Sequence, residues 1–200
     1  MSISKTLSEA NTMEAANSLA EAFMADPLQT YVFPDAEERQ RRSPAHFEAL
    51  LRYGIMFGEV YTTKNFEGSV VWLPPEKTDI TPENAEKGGL TNLPKLLGEE
   101  ATTRFFTVMD FLEPFHKQDA SEPHWYTMVI GVAPSYCGQG YGKALMETVL
   151  SKTKGTQTPV YLETAAPSNI PFYQSLGFKV IRELTEPVSK LRLWTFKKEA

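Results

Sequence analysis

The stretch TMVIGVAPSYCGQGYGKALMETVL, residues 127–150, prescribes a strand, a glycine-rich turn and a helix in that order. Thr127 to Val132 are mostly β-branched or apolar, and Pro134 cannot donate to a sheet ladder, so the strand stops before the glycines begin. Beyond them, Ala144, Leu145, Thr148, Val149 and Lys152 fall at helical spacing and give a helix one stripe that can pack on a sheet. Gly138, Gly140 and Gly142 stand at alternate positions where that helix starts. The first amide N–H groups of a helix have no intrahelical partner and sit at the positive end of the macrodipole, so the turn is a natural cradle for phosphate oxygens.

Two familiar phosphate loops fail against this spacing. A P-loop needs glycine where Cys137 stands and Ser or Thr where Ala144 stands, and a dinucleotide fingerprint reads GxGxxG where this chain has GxGxG. From this stretch alone, a glycine turn that binds nothing remains the alternative.

A chain of 200 residues with 42% hydrophobic content suits one domain over 1–200 with a full core better than two small ones. Its net charge of -5 argues against a general nucleic-acid binder, and the basic run EERQRR reads as a solvated helix face pairing Glu37 with Arg41 and Glu38 with Arg42. One cysteine excludes an internal disulfide. The start MSISKTLSEA has no apolar signal core and no long apolar span follows, so no membrane contact and a cytoplasmic location are expected. His46, His116 and His124 are scattered without ligand spacing, so no metal is expected and each histidine reads as structural or exposed.

Along the chain, a first strand is expected near Ile3 to Leu7, then an amphipathic helix through Met13, Ala16, Ala20 and Phe23 opened by an Asn11–Glu14 capping box. Asp26-Pro27 ends it, and LQTYVFPDAEE reads as a loop before a helix through Phe47, Leu50, Leu51 and Ile55. Gly58 to Thr63 and Gly68 to Leu73 look like a hairpin. Residues 76–120, punctuated by prolines and glycines, read as small helices. Pro159 to Thr164 follows as a strand, Ile170 to Leu176 as a short helix, and FKVIREL and KLRLWTFKK as two more strands.

A second segment, YLETAAPSNIPFYQSLGFKV at residues 161–180, follows the glycine-turn helix. Together the two segments resemble the GNAT family of N-acetyltransferases. The acetyl-CoA motif of that family is Arg or Gln, two residues, Gly, one residue, Gly or Ala, followed later by an Asn and a Phe/Tyr-Tyr-x-x-x-Gly-Phe helix. With WLPPE upstream, GVAPSYCGQGYG and LETAAPSNIPFYQSLGF look most like puromycin N-acetyltransferase and its relatives. The resemblance is strong over 125–180 and loose elsewhere. It implies an α/β (α+β) GNAT fold, a central mixed, mostly antiparallel twisted sheet flanked by helices, with a small helical insertion at about 76–120.

The resemblance also implies acetyl-CoA as the acyl-donor cosubstrate and an assignment of roles. Backbone amides of Ile130, Gly131 and Val132 would bind the pantetheine arm and polarise the thioester carbonyl. Cys137, Gly138, Gln139, Gly140, Tyr141, Gly142 and Lys143 would cradle the pyrophosphate, and Asn169 and Phe172 would support the cofactor. Cys137 departs from the family's Arg or Gln; since amides hold phosphate, it contributes its N–H rather than its thiol. Tyr173 would donate to the sulfur, its other reading being one more core aromatic. Glu163 ends the strand entering the site and is the candidate proton acceptor, directly or through water, although a carboxylate there equally orients substrate or pairs with a neighbour.

The expected partner is a small-molecule amine, attacking directly in a ternary complex, with Tyr31, Phe33 and residues 76–120 walling its pocket. The other readings are a protein or peptide N-acetyltransferase and a silent acyl-CoA-binding module. A homodimer is allowed.

Overall fold

In the computed structural model, which describes residues 3–5 and 7–199, the β-branched and aromatic runs form seven strands of one sheet. They are Ile3–Lys5 (β1), Glu59–Thr63 (β2), Gly68–Leu73 (β3), Trp125–Val132 (β4), Val160–Thr164 (β5), Lys179–Thr185 (β6) and Arg192–Lys198 (β7). Their order is β1-β2-β3-β4-β5-β7-β6, and every neighbouring pair is antiparallel except β4 with β5. The mixed, mostly antiparallel sheet implied by the sequence is therefore present.

The helices are Thr12–Ala22 (α1), Pro27–Val32 (α2), Ala36–Phe57 (α3), Pro82–Lys87 (α4), Leu93–Leu97 (α5), Glu99–Asp119 (α6), Tyr141–Thr153 (α7) and Ile170–Ser175 (α8). Leu19 of α1 and Leu51 and Tyr53 of α3 are fully buried against Val71 and Leu73 on one face of the sheet. Leu145 and Val149 of α7 and Tyr173 of α8 pack with Trp72, Leu162 and Phe196 on the other. Each such apolar side chain stabilises the fold by roughly 1.5–3 kcal/mol, and the two clusters together clamp the sheet. On the first face, α6 lays Val108 and Leu112 against Ala165 and Leu193, beside the end of β5 and over β7.

The structure corrects several local expectations. Asn11 makes no capping bond, because it closes a 3₁₀ turn at ψ 10° rather than standing extended as a cap must. Thr12 instead donates to Glu9 O at 2.9 Å. The expected loop after Pro27 is the helix α2, since the Asp26 carboxylate accepts from the N–H of Leu28 and Gln29 at 2.9 and 3.2 Å and Pro27 occupies the first helical position. Residues 76–120 hold two short helices, but the longest element of the segment is α6, 21 residues that run through Pro114 on the exposed side. The packed face of α7 is Leu145, Met146, Val149, Leu150 and Thr153. Lys152 instead reaches Glu59 at 2.5 Å. Leu7 is buried in the core and lies beyond β1, and the expected first strand also includes Thr6, outside the described residues.

The feature that positions the site is a break in the centre of the sheet. The ladder of β3 and β4 slips between Val71 and Trp72, which pair with Val129 and Thr127, so Met128 is a bulged extra residue. Met128 and Val129 consequently turn to the same face. β5 pairs with β4 only at Trp125–Val160 and Tyr126–Tyr161, and beyond the bulge the two parallel strands part.

Candidate active site

The glycine turn opens this break on the α7 side. Gly138 and Gly140 adopt φ of 76° and 85°, the left-handed region that a side chain disfavours. Gly140 is the N-cap of α7 and has no side chain to cap it, and the first bond of the helix is Ala144 N–H to Gly140 O at 3.0 Å. The amides of Tyr141, Gly142 and Lys143 are therefore left free by the helix. A Cβ on Gly142 would stand 3.3 Å from the Phe172 ring, so bare backbone also lets α7 and α8 approach.

A cleft of about 570 Å³ runs from this turn along the parted edge of β4. Ile130, Gly131, Val132, Cys137, Gly138, Gly140, Tyr141, Gly142, Lys143, Asn169, Phe172 and Tyr173 line it. Past Tyr126 and Tyr161 no ladder joins the facing edges of β4 and β5, so main-chain donors and acceptors there are open to an extended amide-containing ligand. Asn169 is steadied by a 3.3 Å bond from its Nδ2 to Thr164 Oγ1. Gln139 does not line the cleft, because its amide turns back to Ser135 O at 3.2 Å. The Cys137 thiol leans on the carbonyls of Val132 and Ala133 at 3.7 and 3.8 Å.

Tyr173 is both core and cleft: its ring packs on Phe172, Phe178 and Phe196 while it lines the cavity. Burial pushes its phenol well above the usual range, and the nearby charge of Asp26 adds to the shift. Asp26 itself lines the cleft opposite, with its carboxyl raised by burial against the two N–H bonds that cap α2. In the sequence Asp26 marks the end of a helix and the start of the 26–35 segment expected beside the substrate. The Asp-Pro pair is a helix-start signature that would have found it.

Glu163 points to the other face of the sheet, away from the cleft lining, because β5 alternates and Leu162 faces Tyr173. There it meets groups from three elements. His116 of α6 brings Nδ1 to 3.5 Å of Glu163 Oε1 and stacks its ring on Tyr161 at 4.3 Å. His116 Nε2 lies 2.8 Å from His124 Nε2, and His124 Nδ1 lies 2.8 Å from Glu122 O. Burial, assisted by His124, lowers the His116 pKa to about 3, so its contact with Glu163 is between a neutral ring and a carboxyl, not an ion pair.

Burial pushes the Glu163 carboxyl up to about 7, with Asp119 adding to the rise and Tyr126 and Tyr161 opposing it. A carboxyl that titrates near neutrality can take a proton from an ammonium or amine at working pH. The two histidines are eight residues apart across a helix end and a strand start, so no spacing announces them. Neither Phe33 nor Tyr31 lines the cleft: Phe33 is fully buried core, and Tyr31 packs half-buried beside α6. Among the described residues, no three His, Cys, Asp or Glu side chains are grouped to hold a metal ion.

Comparison with known proteins agrees with this geometry. The acetyltransferase (GNAT) domain model matches residues 105–180, from within α6 to the start of β6. An uncharacterized N-acetyltransferase of Schizosaccharomyces pombe is 26% identical over 171 residues, covering 82% of this chain and 69% of its own length. The histone acetyltransferase HPA2 and related acetyltransferase of Corynebacterium glutamicum superposes with a TM-score of 0.69 at 20% identity, covering 100% of this chain and 98% of that one. The polyamine N-acetyltransferase of Drosophila melanogaster, which forms N-acetylagmatine, gives 0.61 at 18% identity over the whole of both chains. Both halves of the motif line one cleft at a parted parallel strand pair, residues 105–180 match the GNAT acetyltransferase domain, and the chain is similar over most of its length to N-acetyltransferases.

Proposed function

We propose that the chain transfers acetyl from acetyl-CoA to the amine of a small molecule by direct attack, with Glu163 as proton acceptor and Tyr173 as donor to the leaving sulfur. The observation that carries this is the break between β4 and β5. On one side of it lies a cleft holding the glycine turn and Tyr173, and on the opposite face of the sheet Glu163 carries a carboxyl titrating near neutrality.

The chain fits the cosubstrate on its own features. The amides of residues 141–143 suit a pyrophosphate, and the open edge of β4 suits the amides of a pantetheine arm. When bound, acetyl-CoA supplies an activated acyl carbonyl. Main-chain N–H groups of β4 near the bulge then stabilise charge developing on its oxygen, while Glu163 receives the proton of the attacking amine. We place the acceptor beside α2 and α6, whose partly buried Leu28, Tyr31, Met109 and Phe111 pack on one cluster at the end of β5. Apolar and aromatic surroundings of that kind suit a compact amine better than an extended peptide. The polyamine substrate of the Drosophila neighbour points the same way.

The test is an acceptor screen with acetyl-CoA, following release of free thiol, with puromycin as the first compound and then agmatine, polyamines, arylalkylamines and peptides. Small amines are expected to turn over fastest; peptides acetylated far faster than every small amine would refute the pocket reading. For the cosubstrate, Gly140→Asp places a negative charge at the helix start, and calorimetry should show acetyl-CoA binding abolished in a protein that still melts cooperatively. Unchanged affinity would move the pyrophosphate elsewhere. Cys137→Ala is expected to keep activity within about twofold, because an amide contact does not depend on the side chain and the thiol rests on main-chain carbonyls, while His116 and His124 lie with Glu163. Trapping of an acetyl-cysteine by mass spectrometry would show a covalent route instead.

A further inference from the structure

The carbonyl of Glu122 fixes the tautomers of both histidines behind Glu163. A carbonyl only accepts, so the 2.8 Å contact with His124 Nδ1 requires a hydrogen on that nitrogen. Both rings are held neutral by burial. His124 Nε2 is then a lone pair, and the 2.8 Å contact between the two Nε2 atoms requires His116 to supply the hydrogen. His116 Nδ1 is left without a hydrogen, and it is the nitrogen 3.5 Å from Glu163 Oε1. The ring that faces the carboxyl can accept from it but not donate to it.

We propose that His116 is the positioning residue of the proton-accepting step: it receives a hydrogen bond from the carboxylic acid that Glu163 becomes on taking the amine proton. Resting on the reading of Glu163 as the proton acceptor, this assigns the histidine pair a part in the reaction. The balance is simple: the amine N–H bond breaks, a Glu163 O–H bond forms, and that O–H turns to His116 Nδ1. A lone pair opposed to the carboxylate and bonded to the acid favours the protonated form, so the tautomer chain strengthens Glu163 as a base.

The other groups facing Glu163 are accounted for. Tyr126 and Tyr161 both favour the carboxylate. Asp119 opposes it, but the Arg182 guanidinium at 2.7 Å and Thr195 engage Asp119. Lys197 of β7 is paired with Glu122. Among these neighbours, His116 alone offers an uncharged acceptor whose orientation is set by a second ring.

The experiment uses the whole protein without added ligand. In ¹³C-glutamate-labelled protein, the Glu163 resonance is assigned by its loss in Glu163→Gln and followed against pH in wild type, His116→Phe and His124→Phe. Phe keeps a ring on Tyr161 and removes the acceptor, so the midpoint should fall by about one pH unit or more, a tenfold loss of proton affinity. His124→Phe should also lower it, because it frees the His116 tautomer to donate. ¹⁵N spectra of the wild-type histidines test the same point without any variant: His116 should carry its hydrogen on Nε2. A hydrogen on Nδ1, or a midpoint unmoved in folded His116→Phe, overturns the proposal. A Glu163→Gln variant that kept full kcat would remove the general-base reading while leaving this titration readable.

Discussion

Glu163→Gln is expected to lower kcat by roughly 10²- to 10⁴-fold, the range lost with a positioned general base, and at the same time to stabilise the protein at neutral pH. The two effects have one cause. Burial pushes the carboxyl up to about 7 against an ordinary 4.5, so between those values the native state holds a proton that the unfolded chain releases. Stability is fullest below pH 4.5, falls as pH rises through the window and is level above about 7, a total loss on the order of 3 kcal/mol. A neutral amide of the same shape escapes that loss, and its N–H₂ can donate to the His116 lone pair. Urea unfolding across pH should therefore show wild type and variant converging near pH 4.5 and separating towards 7. In rates, the acidic limb of kcat/KM near pH 7 should vanish in the variant. Parallel stability curves would mean that Glu163 titrates as an ordinary surface carboxylate, and an intact kcat would mean that water or another group takes the proton.

This arrangement was legible in the sequence only in part, and the division has physical causes. The strand, turn and helix over 127–150 could be read because each depends on local preference: β-branched residues, a proline stop, glycines able to take positive φ, and an apolar stripe. Asn169, Phe172 and Tyr173 came from a motif, and all line the cleft. What could not be read depends on tertiary placement. Nothing local says that β4 carries a bulge at Met128 or that its pairing with β5 stops at Tyr126, yet that break is what makes the cleft. The same holds for His116 and His124, which meet only because the end of α6 packs against the start of β4. Phe33 shows the converse error, an aromatic in an apparently open loop that is core because Asp26 nucleates a helix there.

Tyr173→Phe is expected to lower kcat by about 10²-fold or more while leaving acetyl-CoA affinity and stability little changed, since only a hydroxyl is removed from a ring held by three aromatic neighbours. The pH dependence of that loss follows from the surroundings of the phenol. Burial and the charge of Asp26 hold it protonated well beyond its ordinary value of 10, so no basic limb from Tyr173 should appear below that pH. An acid so weak does not give up its proton readily to a thiolate, whose conjugate thiol has a pKa of about 8.5. Its contribution is a hydrogen bond to sulfur as negative charge builds, strengthened by the dry walls of Phe172 and Phe178, and the variant should lose the same factor at every pH from 6 to 9. Asp26→Asn separates the two influences on the phenol. It removes the charge that reinforces burial, so the Tyr173 absorbance titration near 295 nm should move to lower pH with the ring still in place. A Tyr173→Phe protein with near wild-type kcat across the range would return Tyr173 to the core, and a loss confined to high pH would mean that the phenol surrenders its proton rather than lending a bond.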